Sequence, residues 1–131
     1  MKNTGLGEME TRFADMIWET APVSSGTLVA LCAKSLGWKK STTYTMLKRL
    51  CDKGLFVNNS GTVEVLLTKA KFEALQSESF VERIFEGSLP RFLTAFTTQK
   101  KLADSEIDEI VQMITEYRDR DKGSDEGNFD E

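Results

Sequence analysis

Apolar residues recur at three- and four-residue steps from the start of the chain. Leu6, Met9, Phe13, Met16 and Ile17 share one side of a helix predicted over Leu6 to Glu19, with Trp18 packed at its end. Ala21-Pro22-Val23 stops that helix, because proline drives the residue before it out of the helical region. Ser24 or Ser25 then caps a second helix, whose apolar side is Leu28, Val29, Leu31, Cys32 and Leu36. Gly37 ends it, as a left-handed C-terminal position favours. A third helix is predicted from Ser41, its expected N-cap, to about Leu50. Thr43, Met46, Leu47 and Leu50 form its inward stripe, and Thr42, Thr45, Lys48 and Arg49 its outward face.

The period then shortens. Leu55-Phe56-Val57 reads as a strand, Asn58-Asn59-Ser60-Gly61 as a turn and Thr62 to Leu67 as a second strand, since Asn and Gly tolerate positive φ. After Thr68 the helical pattern returns. Phe72, Leu75, Phe80, Ile84 and Phe85 mark one helix, broken near Gly87. Leu89, Phe92, Leu93 and Phe96 mark a short one. Ile107, Ile110, Val111 and Ile114 mark a last one, capped at Asp104 or Ser105.

Three helices followed by a β-hairpin outline a winged helix-turn-helix. The expected class is therefore mainly α with a small hairpin wing (α+β), followed by a helical dimerisation region. The divisions expected are 1–69 for the winged helix, 70–118 for the dimerisation region and 119–131 for an acidic, disordered tail, in which Phe129 is the one large apolar residue.

The net charge of −4 disguises a strong local contrast. Lys34 to Lys53 holds six bases and one acid, a local charge of +5, whereas Leu102 to Glu131 holds eleven acids and three bases, a charge of −8. A DNA backbone meets the local sign. In a helix-turn-helix the second helix of the pair enters the major groove. Thr42, Thr45 and Arg49 lie on one continuous face suited to base edges. Lys39, Lys40 and Lys48 suit phosphates, which position without specifying. The predicted wing carries no base, so Asn58, Asn59 and Thr62 are its available donors to phosphate. The third helix is then expected to carry most of the DNA contact. A winged-helix module that binds protein instead of DNA is the alternative, favoured by the acidic total and the uncharged wing tip.

The apolar anchors of the second half exceed what its short helices can hide. Phe80, Ile84, Phe85, Phe92, Phe96, Ile107, Ile110 and Ile114 are expected to pair two copies of the chain into a homodimer. The alternative is a monomeric helical subdomain folded back on the winged helix.

Catalysis is not expected. The chain contains no histidine, which removes histidine metal sites, Ser-His and Cys-His pairs and the commonest general base. Asp104, Glu106, Asp108 and Glu109 cluster at a helix start, where carboxylates offset exposed N–H groups. Cys32 and Cys51 are too few for a disulfide scaffold and are expected to be buried thiols. No metal or cofactor is expected. No apolar run approaches membrane-spanning length, and Met1 to Gly5 carries no apolar signal region, so a cytoplasmic protein without membrane association is expected.

The segments Trp38–Leu50 (WKKSTTYTMLKRL) and Asp52–Phe56 (DKGLF) resemble the recognition-helix signature of the BlaI/MecI penicillinase-repressor family. Leu6–Glu10 (LGEME) and Met16–Trp18 (MIW) are similar to its opening pattern, and Phe80–Gly87 (FVERIFEG) and Leu102–Ile107 (LADSEI) to its dimerisation region. The resemblance runs from about Leu6 to Tyr117. It implies a bacterial homodimer that binds a palindromic operator and represses resistance genes, with Ser41, Thr42, Thr45 and Arg49 as DNA-reading positions. In β-lactam-responsive members a membrane sensor-protease pathway ends repression by cleavage in the dimerisation region. The corresponding bond is Ala95–Phe96, where those members have Asn before the Phe. The paired C-terminal cysteines of the family's copper-responsive branch have no counterpart among Cys32 and Cys51.

Overall fold

The computed structural model describes the backbone of residues 5–127 and the side chains as far as residue 123. Met1–Thr4, from the N-terminal segment without an apolar signal region, and residues 128–131 of the expected tail lie outside the described residues. Contacts divide the chain into two compact units, one through Gly87 and one from Ser88 onward.

The first unit begins with α1, Glu8–Thr20. Its start is fixed at Gly7, whose N–H donates to the Glu10 carboxylate at 3.0 Å, so Leu6 precedes the helix and packs on the core from outside it. β1, Val23–Ser24, follows, and Ser24 Oγ caps α2, Ser25–Leu36, by accepting from the Thr27 N–H. Gly37 ends α2 at φ 68°, a conformation in which a side chain is strained.

α3 spans Lys40–Asp52. The expected cap at Ser41 is corrected: the cap position is Lys39, which offers no side-chain bond, and Ser41 lies inside the first turn. The Lys39 carbonyl accepts from both the Thr43 N–H (3.1 Å) and the Thr43 hydroxyl (3.3 Å), so helical bonding starts before Ser41. That second bond also satisfies the hydroxyl of Thr43, a buried polar residue.

β2, Phe56–Asn59, and β3, Thr62–Val65, form the wing. Asn59 pairs with Thr62, leaving Ser60 (φ 52°) and Gly61 (φ 96°) as a two-residue turn with both φ positive, the geometry whose twist suits a hairpin. The turn is thus shorter than the four residues the sequence suggested, because Asn58 and Asn59 remain in the ladder. The sheet also has a third strand that the sequence pattern missed. β1 pairs antiparallel with β3, Val23 opposite Val63 and Ser24 opposite Thr62, giving the order β1-β3-β2.

One core joins these elements. Phe13, Ala14 and Ile17 from α1, Leu28 and Cys32 from α2, Leu47 and Leu50 from α3, and Leu55, Phe56 and Val63 around the wing are all buried. Trp38 closes an edge, its ring 5.3 Å from that of Phe13 in a T-shaped contact. α4, Lys69–Phe85, is capped by the Thr68 hydroxyl and ends at Glu86 (φ 54°) and Gly87 (φ 81°). Its Phe72 packs against the winged-helix core. The contact boundary at Gly87 therefore falls one helix later than the sequence division at residue 69.

The second unit consists of α5, Leu89–Gln99, and α6, Asp104–Gly127. Ser88 caps α5 and Pro90 sits in its first turn, where the missing N–H costs no helical bond. α6 begins at Asp104, so Asp104 and Ser105 are first-turn residues instead of caps. It also continues to Gly127, through much of the segment expected to lack structure. Glu116 precedes Arg120 by four residues and Asp119 precedes Lys122 by three, spacings that favour helix through opposite charges on one face. Among the described residues no helix is long and apolar enough to cross a membrane.

Glu10 links α1 to the end of α3. Its carboxyl is held below the ordinary carboxylate range, chiefly by the Gly7 N–H and also by Lys53, against an opposing effect of burial. Lys53 Nζ lies 3.3 Å from Glu10 and donates to the Gly5 carbonyl at 3.1 Å. A depressed folded-state pKa stabilises above the unfolded value, near 4.5, and that stability is lost as pH falls through the folded value. Urea unfolding of wild type and Glu10→Gln should therefore differ most at pH 7, and the difference should shrink below about pH 4.5.

Candidate nucleic-acid interface

Burial of one side of α3 dictates what the other side presents. Thr43, Leu47 and Leu50 face inward and Met46 is half-buried, which turns Ser41, Thr42, Thr45, Lys48 and Arg49 to solvent. Arg49 lies seven residues beyond Thr42, about 10 Å along the helix axis at roughly 1.5 Å per residue, a length that fits within the major groove. Lys39 and Lys40 are exposed at the N-terminal end of the same helix.

The bases divide by their surroundings. Lys48 lies 3.2 Å from Asp52, but both side chains are largely exposed, at 77% and 65%. Such an i,i+4 surface pair is weak, so the ammonium can exchange Asp52 for a phosphate. Arg49 Nη1 rests 3.7 Å from the Met46 sulfur, and its charge adds a small lowering effect on the Glu10 carboxyl. Lys53 is turned inward onto Gly5 and Glu10 and helps hold α1 to α3.

The wing differs from expectation in how its amides are used. Asn58 Oδ1 accepts from the Gly61 N–H at 2.8 Å and Asn59 Nδ2 donates to Glu64 at 2.8 Å. Both side chains thus brace the hairpin, and Glu64 adds an acid to it.

Tyr44 was missed in the sequence because it carries no charge and lies beside, not opposite, the buried stripe. Its ring is 37% exposed and its hydroxyl lies 3.1 Å from Ser25 Oγ at the start of α2. It extends the outward face toward α2. Reactive chemistry is discouraged nearby: burial pushes the Cys32 and Cys51 thiols up, so both stay protonated at neutral pH.

The residues expected to pair two chains divide into two groups. Phe80, Ile84, Phe96, Ile107 and Ile114 are exposed, while Phe85, Phe92 and Ile110 are half-buried. From Ser88 to residue 123 no side chain is buried.

The family model described as penicillinase repressor matches residues 6–116. Among curated proteins, the penicillinase repressor of Bacillus licheniformis is 26% identical over 121 residues, covering 89% of this chain and 94% of that protein. Among solved structures, a multiple antibiotic-resistance repressor (MarR) from Listeria monocytogenes aligns over 92% of this chain and 78% of that chain, at 19% identity and a TM-score of 0.45.

Thr62 is exposed beside the wing turn, so Thr62→Lys adds a base there without touching the core. Its plot of log affinity against log salt, measured by anisotropy with duplex DNA, should steepen by about 0.9. An unchanged slope would show that the wing stays off the backbone.

Proposed function

The chain belongs to the penicillinase repressor family of DNA-binding transcriptional regulators, and we propose that it acts as a homodimer that blocks transcription from a palindromic operator. The observation that carries this is the exposed face of α3, a cluster of bases and hydroxyls fixed outward by burial of the opposite side. In this reading Thr42, Thr45 and Arg49 meet base edges, and Ser41 lies with them at the groove. Lys39, Lys40 and Lys48 neutralise phosphates. Asn58 and Asn59 both brace the wing: Asn59 commits its Nδ2 to Glu64 and contributes little direct affinity, whereas Asn58 accepts from the Gly61 N–H through Oδ1, a bond that leaves its Nδ2 to donate to a phosphate.

Dimerisation is supported by the second unit. Leu89, Leu93 and Phe96 on α5, and Ile107, Val111 and Ile114 on α6, are all exposed large apolar residues. A unit with no buried side chain between Ser88 and residue 123 gains little hydrophobic stabilisation alone, and two copies covering these faces supply it. Two linked winged helices then bind two half-sites with an avidity that neither has alone.

By its likeness to a protein named penicillinase repressor, we propose that the regulated genes are resistance genes and that the repressor works in the cytoplasm, where the operator lies. Relief through a sensor-protease pathway would act at Ala95–Phe96. That bond lies within α5, and the Ala95 carbonyl accepts from the Thr98 hydroxyl at 2.7 Å. A protease must therefore unwind α5 to reach it.

Arg49→Ala should lower affinity for the specific operator by about 1–3 kcal/mol, the worth of one good base contact, while leaving binding to random duplex much less affected. Equal losses on both duplexes would make Arg49 a phosphate contact. The double variant Ile107→Glu and Ile114→Glu should sediment as a monomer where wild type sediments as a dimer. Its affinity for the full operator should fall to that for a single half-site. A wild-type chain that sediments as a monomer at micromolar concentration and on DNA would overturn the proposal.

A further inference from the structure

We infer that α4 is an arm of the DNA-reading unit, and that Trp18 and Phe72 are positioning residues that set the separation of the two operator half-sites. This rests on the dimeric repressor proposed above.

The indole of Trp18 sits at the junction of three elements. Its ring lies 5.4 Å from Phe56 of β2 and 5.7 Å from Phe72 of α4. Its Nε1 donates to the Leu67 carbonyl at 2.9 Å, just before the cap of α4 at Thr68. One turn back on each helix, Lys69 Nζ lies 2.9 Å from Asp15 Oδ1. That oxygen is buried and accepts no hydrogen bond of good geometry, so Lys69 is its ionic partner. Asp15 and Trp18 are three residues apart on α1, and Lys69 and Phe72 three apart on α4. Two points of contact along each helix fix direction as well as distance.

Beyond this base α4 runs on without a buried side chain until the left-handed pair Glu86 and Gly87. Its direction therefore depends on a small anchor. A helix of 17 residues is about 25 Å long, so a tilt of about 10° at its base moves the far end about 4 Å. The rise of one base pair is about 3.4 Å. In a dimer joined from the far end of α4 onward, an error of this size at each base changes which half-site spacing the two α3 helices fit.

The test uses the full chain and duplexes selected by the wild-type protein from a random-sequence pool, rebuilt with the half-sites moved closer or farther by one and two base pairs. Wild type should prefer one spacing by about tenfold or more over its neighbours, as expected when two linked modules must engage together. Phe72→Ala should reduce that preference to about threefold or less, with single-half-site affinity and dimer sedimentation unchanged. Lys69→Glu guards against a folding defect, because Lys69 is half exposed. It faces Asp15, Glu19 and Glu73, and the substitution sets a fourth carboxylate among them. It should flatten the preference in the same way, and adding Asp15→Lys should restore it, a rescue that general loss of stability does not give. Folded, dimeric variants with an unchanged spacing preference overturn the inference and leave the repressor standing. Selected duplexes without paired half-sites, or a wild-type chain indifferent to spacing, overturn the dimeric operator and this inference together.

Discussion

Leu47 and Leu50 seat α3 in a core built from Phe13, Ile17, Leu28 and Val63, and the rest of the molecule depends on that seat. Removing either leucine from water stabilises by about 1.5–3 kcal/mol, enough to fix the helix in one rotation. Once the rotation is fixed, Thr42, Thr45, Lys48 and Arg49 have only solvent to face. The chemistry of the outward face is thus a consequence of packing on the opposite side. A helix free to roll by one residue would bury a base and expose a leucine, and both changes are costly.

Charge is distributed by the same logic. Three bases near the C-terminal end of α3 have different fates, although the sequence presents them almost side by side. Lys48 is loosely paired and exposed, Arg49 leans on Met46, and Lys53 is committed to Gly5 and Glu10. Lys53 therefore acts as a bolt between α1 and α3. The acidic total of the chain lies mainly in α6, in a different compact unit. An acidic protein can in this way present a basic face to a polyanion.

The two units differ in how they meet the demand for burial. The first completes a core of its own, with aromatic contacts at its edges through Trp18 and Trp38. The second exposes the apolar rows of α5 and α6. Short helices are marginal in water without a packed face, and the family of this chain regulates transcription through DNA binding. In the dimer proposed above, a second copy covering these rows would serve stability and half-site recognition at once.

The sequence by itself determined the helices, the hairpin and the outward face of α3, because each rests on a local period or on a residue with special backbone freedom. The stripe Thr43, Met46, Leu47 and Leu50 is legible at helical spacing, and Gly37 and Gly61 stand where positive φ is required. Only the tertiary structure decided what depends on partners distant in the chain. Two residues, Val23 and Ser24, carry no strand period, and they become β1 because β3 offers them a ladder. Ser41 has the chemistry of a cap, yet the carbonyl of Lys39 and the buried hydroxyl of Thr43 start α3 earlier. Asn59 read as a free donor until the fold placed Glu64 against its Nδ2, and Asn58 braces the turn as an acceptor from the Gly61 N–H. Trp18 read as the end of a helix, and folding made it the joint between the wing and α4. A local pattern records which side of an element is apolar. It does not record which side chains, far away in sequence, will meet there.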